Sequence, residues 1–183
     1  MSYSQYIADT YGSKRGLARY VKFNIKKHLG AYKNADGRQI KNTKRLIYVC
    51  SGNICRSPFG EAVSLKAGFP AISFGLHCRG GDPAFEKTLD YASRHGYNLD
   101  RHRSTKMRDY TPLVGDLLIV MEPAHLDELN ALYPNVNKVL IGQFASNKTV
   151  YLHDPFNTNQ TFFDKCMQQI EEATLSLITT IKK

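Results

Sequence analysis

Five residues separate Cys50 from Arg56 in the run Cys50-Ser-Gly-Asn-Ile-Cys-Arg-Ser-Pro58. A thiol and a guanidinium at that spacing can serve one tetrahedral oxyanion. The thiolate attacks the central atom while the planar guanidinium grips two of its oxygens. The residues between them, Ser51, Gly52, Asn53, Ile54 and Cys55, are few enough to form one tight loop. Successive backbone N–H groups in such a loop line an anion-binding concavity. Gly52 and Asn53 tolerate the positive φ angles that a loop of this kind demands. Ser57 follows Arg56 directly, and its hydroxyl is placed to hydrogen-bond the thiolate as attacker and as leaving group.

The elements that must hold this loop are readable on either side of it. Leu46-Ile47-Tyr48-Val49 is a short apolar run that reads as a buried strand, and Pro58–Ala67 has a helical pattern. The strand delivers Cys50 to the floor of the loop, and the loop opens the helix. The helix N-terminus adds positive potential to the anion site, and Pro58 suits the first turn, where its missing N–H costs nothing. Amides, a helix N-terminus and an arginine favour the thiolate over the thiol. Two plainer roles for the cysteines were weighed. A structural disulfide between Cys50 and Cys55 suits an oxidising compartment, and a metal site needs more ligands at close spacing than the distant Cys78 and Cys166 supply. No metal and no cofactor is expected.

The rest of the chain repeats the order strand, loop, helix. Strands are expected at 71–75, 116–121 and 138–141. Helices are expected at 83–95, stopped by Gly96, at 123–132 and at 161–181. Such alternation predicts an α/β fold, a four-stranded parallel sheet flanked by helices in a Rossmann-like arrangement, with the site beyond the strand C-termini. The charge is not evenly spread. Of the 25 Lys and Arg in the 183-residue chain, ten fall in residues 1–44, against two Asp and Glu, while residues 45–183 are nearly balanced. The expected division is therefore a basic, partly helical N-terminal extension, 1–44, and a catalytic domain, 45–183. A helix is expected from Lys14 to Leu29 with Leu17, Val21, Ile25 and Leu29 as one apolar stripe, and Asn34–Gly37 reads as a turn. Three readings of that basic helix stand open: it docks on its own domain, on an acidic partner, or on an anionic membrane. Nucleic acid is not expected as a partner, since charge alone is poor evidence for it. With no run of about 20 apolar residues and no secretory signal, the expected location is cytoplasmic.

The nine-residue run resembles the signature of the low-molecular-weight protein tyrosine phosphatases. Their pattern is Cys, five residues, Arg, then Ser or Thr, with Gly-Asn-x-Cys inside. Cys50, Gly52, Asn53, Cys55, Arg56, Ser57 and Pro58 all match it. Val120-Met121-Glu122 and His125-Leu126 are similar to the family's stretch after its third strand, and the resemblance covers residues 45–181. It implies hydrolysis of phosphotyrosine through a cysteinyl-phosphate intermediate, with Cys50 as nucleophile and Arg56 and the amides of 51–56 as the phosphate cradle. The general acid is implied to be Asp154, in Tyr151-Leu-His-Asp-Pro-Phe156. The other Asp-Pro, Asp82-Pro83, reads as the cap of the second helix. His102 is implied to support Asn53.

Substrate choice is where the sequence departs from the pattern. Phe156 is followed by Asn157 rather than a second aromatic residue, and Leu76–Gly81 offers His77 but no aromatic ring. Phe156 and His77 are therefore the expected pocket residues. Cys55, close to Cys50 in the loop, suggests a reversible disulfide under mild peroxide. The implied substrate is a phosphotyrosine protein, in bacteria a tyrosine autokinase. Two rivals share the loop: a thioredoxin-coupled arsenate reductase, which needs further cysteines absent from 116–132, and a phosphotyrosine-binding module without turnover.

Overall fold

A computed structural model describes residues 2–32 and 40–183, so the turn expected at Asn34–Gly37 lies outside the described residues. The catalytic part is built on four parallel strands: β1 (Arg45–Cys50), β2 (Ala71–Gly75), β3 (Asp116–Val120) and β4 (Asn137–Leu140), in the order β2-β1-β3-β4. The helices are α1 (Tyr3–Tyr11), α2 (Lys14–His28), α3 (Arg56–Lys66), α4 (Glu86–Arg94), α5 (Pro123–Leu132) and α6 (Gln160–Ile181). Every residue of β1 after Arg45 is buried, because helices cover both faces of the sheet. Leu46 and Tyr48 face a core shared with Phe59 and Val63 of α3 and Phe163, Met167 and Ile170 of α6. Ile47 and Val49 face the opposite core, with Met107, Tyr110, Leu126 and Leu129.

The chain leaves β1 on one side for β2, then crosses to the other side of β1 for β3. The C-terminal ends of β1 and β3 therefore flank a topological switch point, the place where open parallel sheets bind ligands. Close packing beneath it depends on small residues. A Cβ on Gly60 would lie 2.5 Å from the Tyr48 ring, so α3 sits directly on β1. The Tyr48 hydroxyl ties the layers together through Ser64 of α3 (2.9 Å) and Thr174 of α6 (3.2 Å).

Several expectations need correction. The loop-to-helix boundary comes two residues earlier than expected, so Arg56 itself opens α3. Asp82 does not cap α4: the N-cap residue is Phe85, and Asp82 pairs with Ser104 through its backbone. Helix α1 was not anticipated from its tyrosine-punctuated sequence; Ser2 caps it by accepting from the Gln5 amide. The expected stripe of α2 is left mostly uncovered, with Leu17 alone half-buried. Val21, Ile25 and Leu29 are exposed, and α2 instead meets the domain through Gly16, Phe23 and Lys27. Gly30, in the left-handed region at φ 83°, ends the helix as expected.

Candidate active site

The loop after β1 is shaped from outside. Its carbonyls are engaged by neighbouring segments: Cys50 and Ser51 accept from the amides of Leu76 and His77, and Ile54 accepts from the amide of Phe85. His102 Nε2 lies 2.7 Å from the Asn53 carbonyl oxygen. With the carbonyls turned out, the amides are left to the concave side, which is the requirement for an anion nest. The Asn53 amide donates to Cys50 Sγ at 3.2 Å. Of the two loop residues that tolerate a positive φ, Asn53 adopts it, at 53°, and Gly52 does not. A wholly buried side chain holds Asn53 in that conformation. Its Nδ2 donates to Ser57 Oγ (2.9 Å) and Ser73 Oγ (2.8 Å), and its Oδ1 accepts from the Thr105 amide at 2.7 Å. Ser73 in turn donates to Glu61, whose carboxyl is pushed up by burial against that bond. Gly75 is where β2 passes beneath the loop; a Cβ there would stand 3.0 Å from Asn53 Cβ and from the Ser51 carbonyl oxygen.

Cys50, buried at the floor, has Ser57 Oγ at 3.0 Å from its sulfur. Cys55 is also buried, and its thiol is pushed up by burial and then by the neighbouring Cys50, so it stays protonated. All four cysteines are free thiols. Among the described residues no three His, Cys, Asp or Glu side chains gather in a metal-binding arrangement.

Arg56 joins the loop to the segment that carries Asp154. Its Nη1 donates to the Leu152 carbonyl at 2.9 Å, and its Nη2 lies 3.2 Å from Asp154 Oδ2. Its Nε is buried with no partner among the described residues. The Leu152 amide donates to the Met121 carbonyl at 3.0 Å, which fastens the same segment to the end of β3. Burial works against the Arg56 charge, but Asp154, Cys50 and Glu122 outweigh it and hold the guanidinium protonated. Asp154 is half exposed, at the rim, and its Oδ1 accepts from the Phe156 amide. Asp82 lies at the end of a different segment, tied to Ser104, and makes no contact with Arg56 among the described residues.

The pocket residues divide. Phe156 stands at the rim with its ring 4.7 Å from that of Phe85. Phe85 carries no pocket signal in the sequence because it lies beyond Leu76–Gly81. Its place is at the start of α4, where its amide docks on Ile54. The amide of His77 donates to the Ser51 carbonyl of the loop, while its ring pairs with Glu128 of α5 at 3.4 Å. Two further groups, given no role from the sequence, are buried nearby. Glu122 and His125, 3.3 Å apart, lie close enough to Arg56 to feel its charge.

A cleft of about 830 Å³ runs between the N-terminal helices and α6, lined by Tyr11, Tyr20, Lys148, His153 and Lys165, and none of residues 50–56 lines it.

Comparison with known proteins agrees with this geometry. Residues 45–183 match the family model described as low molecular weight phosphotyrosine protein phosphatase. The protein-tyrosine-phosphatase Etp of Escherichia coli K12 is 32% identical over 133 residues, covering 70% of this chain and 88% of Etp. The crystal structure of the Erwinia amylovora tyrosine phosphatase AmsI is similar with a TM-score of 0.68 and 27% identity, covering 77% of this chain and 95% of that one. Wzb of Escherichia coli K30, solved in complex with sulphate, has a TM-score of 0.66 and 29% identity, covering 76% of this chain and 99% of its own. The cradle at the switch point, the sequence match over three quarters of the chain and the shared fold lead to one conclusion: the chain belongs to the low-molecular-weight protein tyrosine phosphatase family and hydrolyses phosphotyrosine through a cysteinyl-phosphate intermediate.

Proposed function

We propose that Cys50 is the nucleophile of that reaction, Arg56 and the amides of 51–56 the phosphate cradle, and Asp154 the general acid. The observation that carries this reading is Arg56: one buried side chain spans the loop and the Asp154 segment and keeps Nε free of any acceptor among the described residues. Cys50 attacks phosphorus in line, the equatorial oxygens are held by fixed dipoles and the guanidinium, and Asp154 protonates the leaving phenol. A water deprotonated by Asp154 then hydrolyses the cysteinyl phosphate. The sulphate bound by Wzb is an anion of the same shape. Ser57 supports the thiolate at 3.0 Å, and Asn53 and His102 support the loop. Phe85 and Phe156 form the aromatic side of the substrate slot, a role we assign in place of His77. Cys55 serves as resolving thiol when Cys50 is oxidised.

The substrate is a phosphotyrosine protein, in keeping with relatives named protein-tyrosine-phosphatases, and within that class we propose a bacterial tyrosine autokinase. Residues 1–44 act as an extension of a phosphatase domain spanning 45–183, and the protein works in the cytoplasm. No helix among the described residues is long and apolar enough to cross a membrane. The outward face of α2, with Val21, Ile25 and Leu29 exposed beside Lys22 and Lys26, suits an anionic lipid surface.

The test of the catalytic assignment is turnover of para-nitrophenyl phosphate across pH for the parent, Cys50→Ser and Asp154→Ala. Abolition by the first change and a loss of about 10²-fold or more by the second are expected. An active Cys50→Ser protein would overturn the nucleophile, and an unimpaired Asp154→Ala protein the acid.

A further inference from the structure

The N-terminal helices lie outside the stretch that matches the family, yet their contacts converge on the segment that carries Asp154. On the upstream side, Ser13 Oγ is 3.2 Å from His153 Nε2, and His153 Nδ1 is 2.6 Å from the Tyr151 hydroxyl. The Phe23 ring packs on Tyr151 at 5.3 Å, and Lys27 Nζ donates to the Lys148 carbonyl at 3.2 Å. On the downstream side, Asn159 Nδ2 donates to Asp9 Oδ1 at 2.7 Å and Lys165 Nζ donates to the Asp9 carbonyl at 3.1 Å. The extension therefore grips both flanks of residues 148–165, with Asp154 between them.

Two glycines make the approach possible. A Cβ on Gly12 would come within 2.6 Å of the His153 ring, and one on Gly16 within 3.1 Å of the ring and 2.0 Å of the Tyr11 carbonyl oxygen. The hydrogen bonds form a consistent chain. The His153 ring stands between two hydroxyls, Tyr151 at Nδ1 and Ser13 at Nε2, and Ser13 Oγ also accepts from the Gly16 amide at 2.9 Å. Burial first, then the charge of Arg56, lowers the His153 pKa and so favours the neutral ring.

Asp154 itself has few anchors. Its carboxylate meets Arg56 and the Phe156 amide and is otherwise open to solvent. Its position is therefore set by the backbone of the segment, which the extension clamps.

We propose that α1 and α2 are a positioning element for the phosphoryl-transfer step: through Ser13, His153 and Tyr151 they hold the Asp154 segment over the phosphate cradle. The inference rests on Asp154 being the general acid. No residue of the extension is required to touch substrate.

The test uses the full chain and reads the dependence on leaving group. kcat/KM reports the step in which Cys50 takes the phosphoryl group, and that step needs an acid for phenyl phosphate but hardly for 2,4-dinitrophenyl phosphate. Ser13→Ala and Gly16→Val are expected to lose about 5- to 50-fold in kcat/KM on phenyl phosphate, less than the ~10²-fold or more of removing an acid. On dinitrophenyl phosphate, and in the inhibition constant of inorganic phosphate, they are expected to change by less than about twofold, since the cradle is untouched. Ser13→Thr, which keeps the hydroxyl, should restore the parent ratio. Adding Gly16→Val to Asp154→Ala should give no further selective loss, because both act through one group. Equal losses on both substrates, or none, would overturn the clamp; if Gly16→Val does not fold, Ser13→Ala and Ser13→Thr decide it. Should Asp154→Ala itself lack the selectivity, the acid assignment fails instead.

Discussion

His125 makes the protein's stability fall in acid, by an amount the structure sets. The ring is buried in α5, with Nε2 3.3 Å from Glu122 and Nδ1 lacking a partner among the described residues. Burial first, then the charges of Arg56, His77 and Arg19, pushes its pKa down to about 3. In the unfolded chain the same ring protonates near ~6.5. Above that pH neither state binds a proton there, and His125 adds no pH dependence. Below it the unfolded state binds one proton more than the folded state, so stability is lost as pH falls, down to the folded value. Each pH unit in that window costs ~1.4 kcal/mol, so about 2–3 kcal/mol has gone by pH ~4.5. His102 and His153, also lowered by burial, act in the same direction. Glu122, raised by burial, acts in the opposite one. The assay is urea unfolding of the parent and His125→Gln at about pH 7.5, 6.5, 5.5 and 4.5 and constant ionic strength, repeated on Glu122→Gln to remove the coupled carboxyl. The parent should lose about 2–3 kcal/mol more than His125→Gln between the extremes. A difference between the two proteins that stays constant within ~0.5 kcal/mol would refute the reasoning, because His125 would then be protonating alike in both states.

Three further outcomes are expected. Phe85→Ala should raise KM for phenyl phosphate about three- to tenfold while leaving inhibition by inorganic phosphate unchanged, the size of one lost aromatic contact; an unchanged KM would remove Phe85 from the slot. Peroxide should convert Cys50 to a sulfenic acid, which Cys55 condenses with, expelling water, so that thiol restores activity; if Cys55→Ser recovers as fully as the parent, Cys55 is not the resolving thiol. Anionic vesicles should sediment the parent but not Val21→Glu/Ile25→Glu, with neutral vesicles sedimenting neither; equal sedimentation of both proteins would rule out that face of α2.

What could be read in the chain, and what could not, follows from how far each signal extends along it. Nine contiguous residues hold the thiol, the guanidinium and the loop, and a strand and a helix flank them. Local pattern therefore sufficed for the cradle and for the parallel sheet that presents it. The left-handed residue of the loop was not decidable locally, since Gly52 and Asn53 both tolerate that conformation. Asn53 adopts it because Ser73 and Thr105, distant in sequence, join Ser57 in hydrogen-bonding its side chain. Phe85 escaped notice for a related reason: it reaches the rim through a backbone bond to Ile54, which leaves no mark in composition.

Helix α2 is the instructive failure. Hydrophobic periodicity finds the face of a helix that would bury most apolar area, and here it found Val21, Ile25 and Leu29. The face that meets the domain is chosen by close approach instead, with Gly12 and Gly16 against the His153 ring and Ser13 hydrogen-bonded to it. Glycines and a serine carry no apolar signal, so the contact is invisible to a pattern built on burial. The same reasoning separates two uses of one helix. The small residues at its start grip the segment of Asp154, and its apolar stripe is left outside for something else to cover. A substitution on the outer stripe should therefore leave the leaving-group dependence of the reaction untouched, while one at Ser13 or Gly16 should alter it. If the two faces could not be separated in this way, α2 would be acting on catalysis merely through the stability of the whole chain.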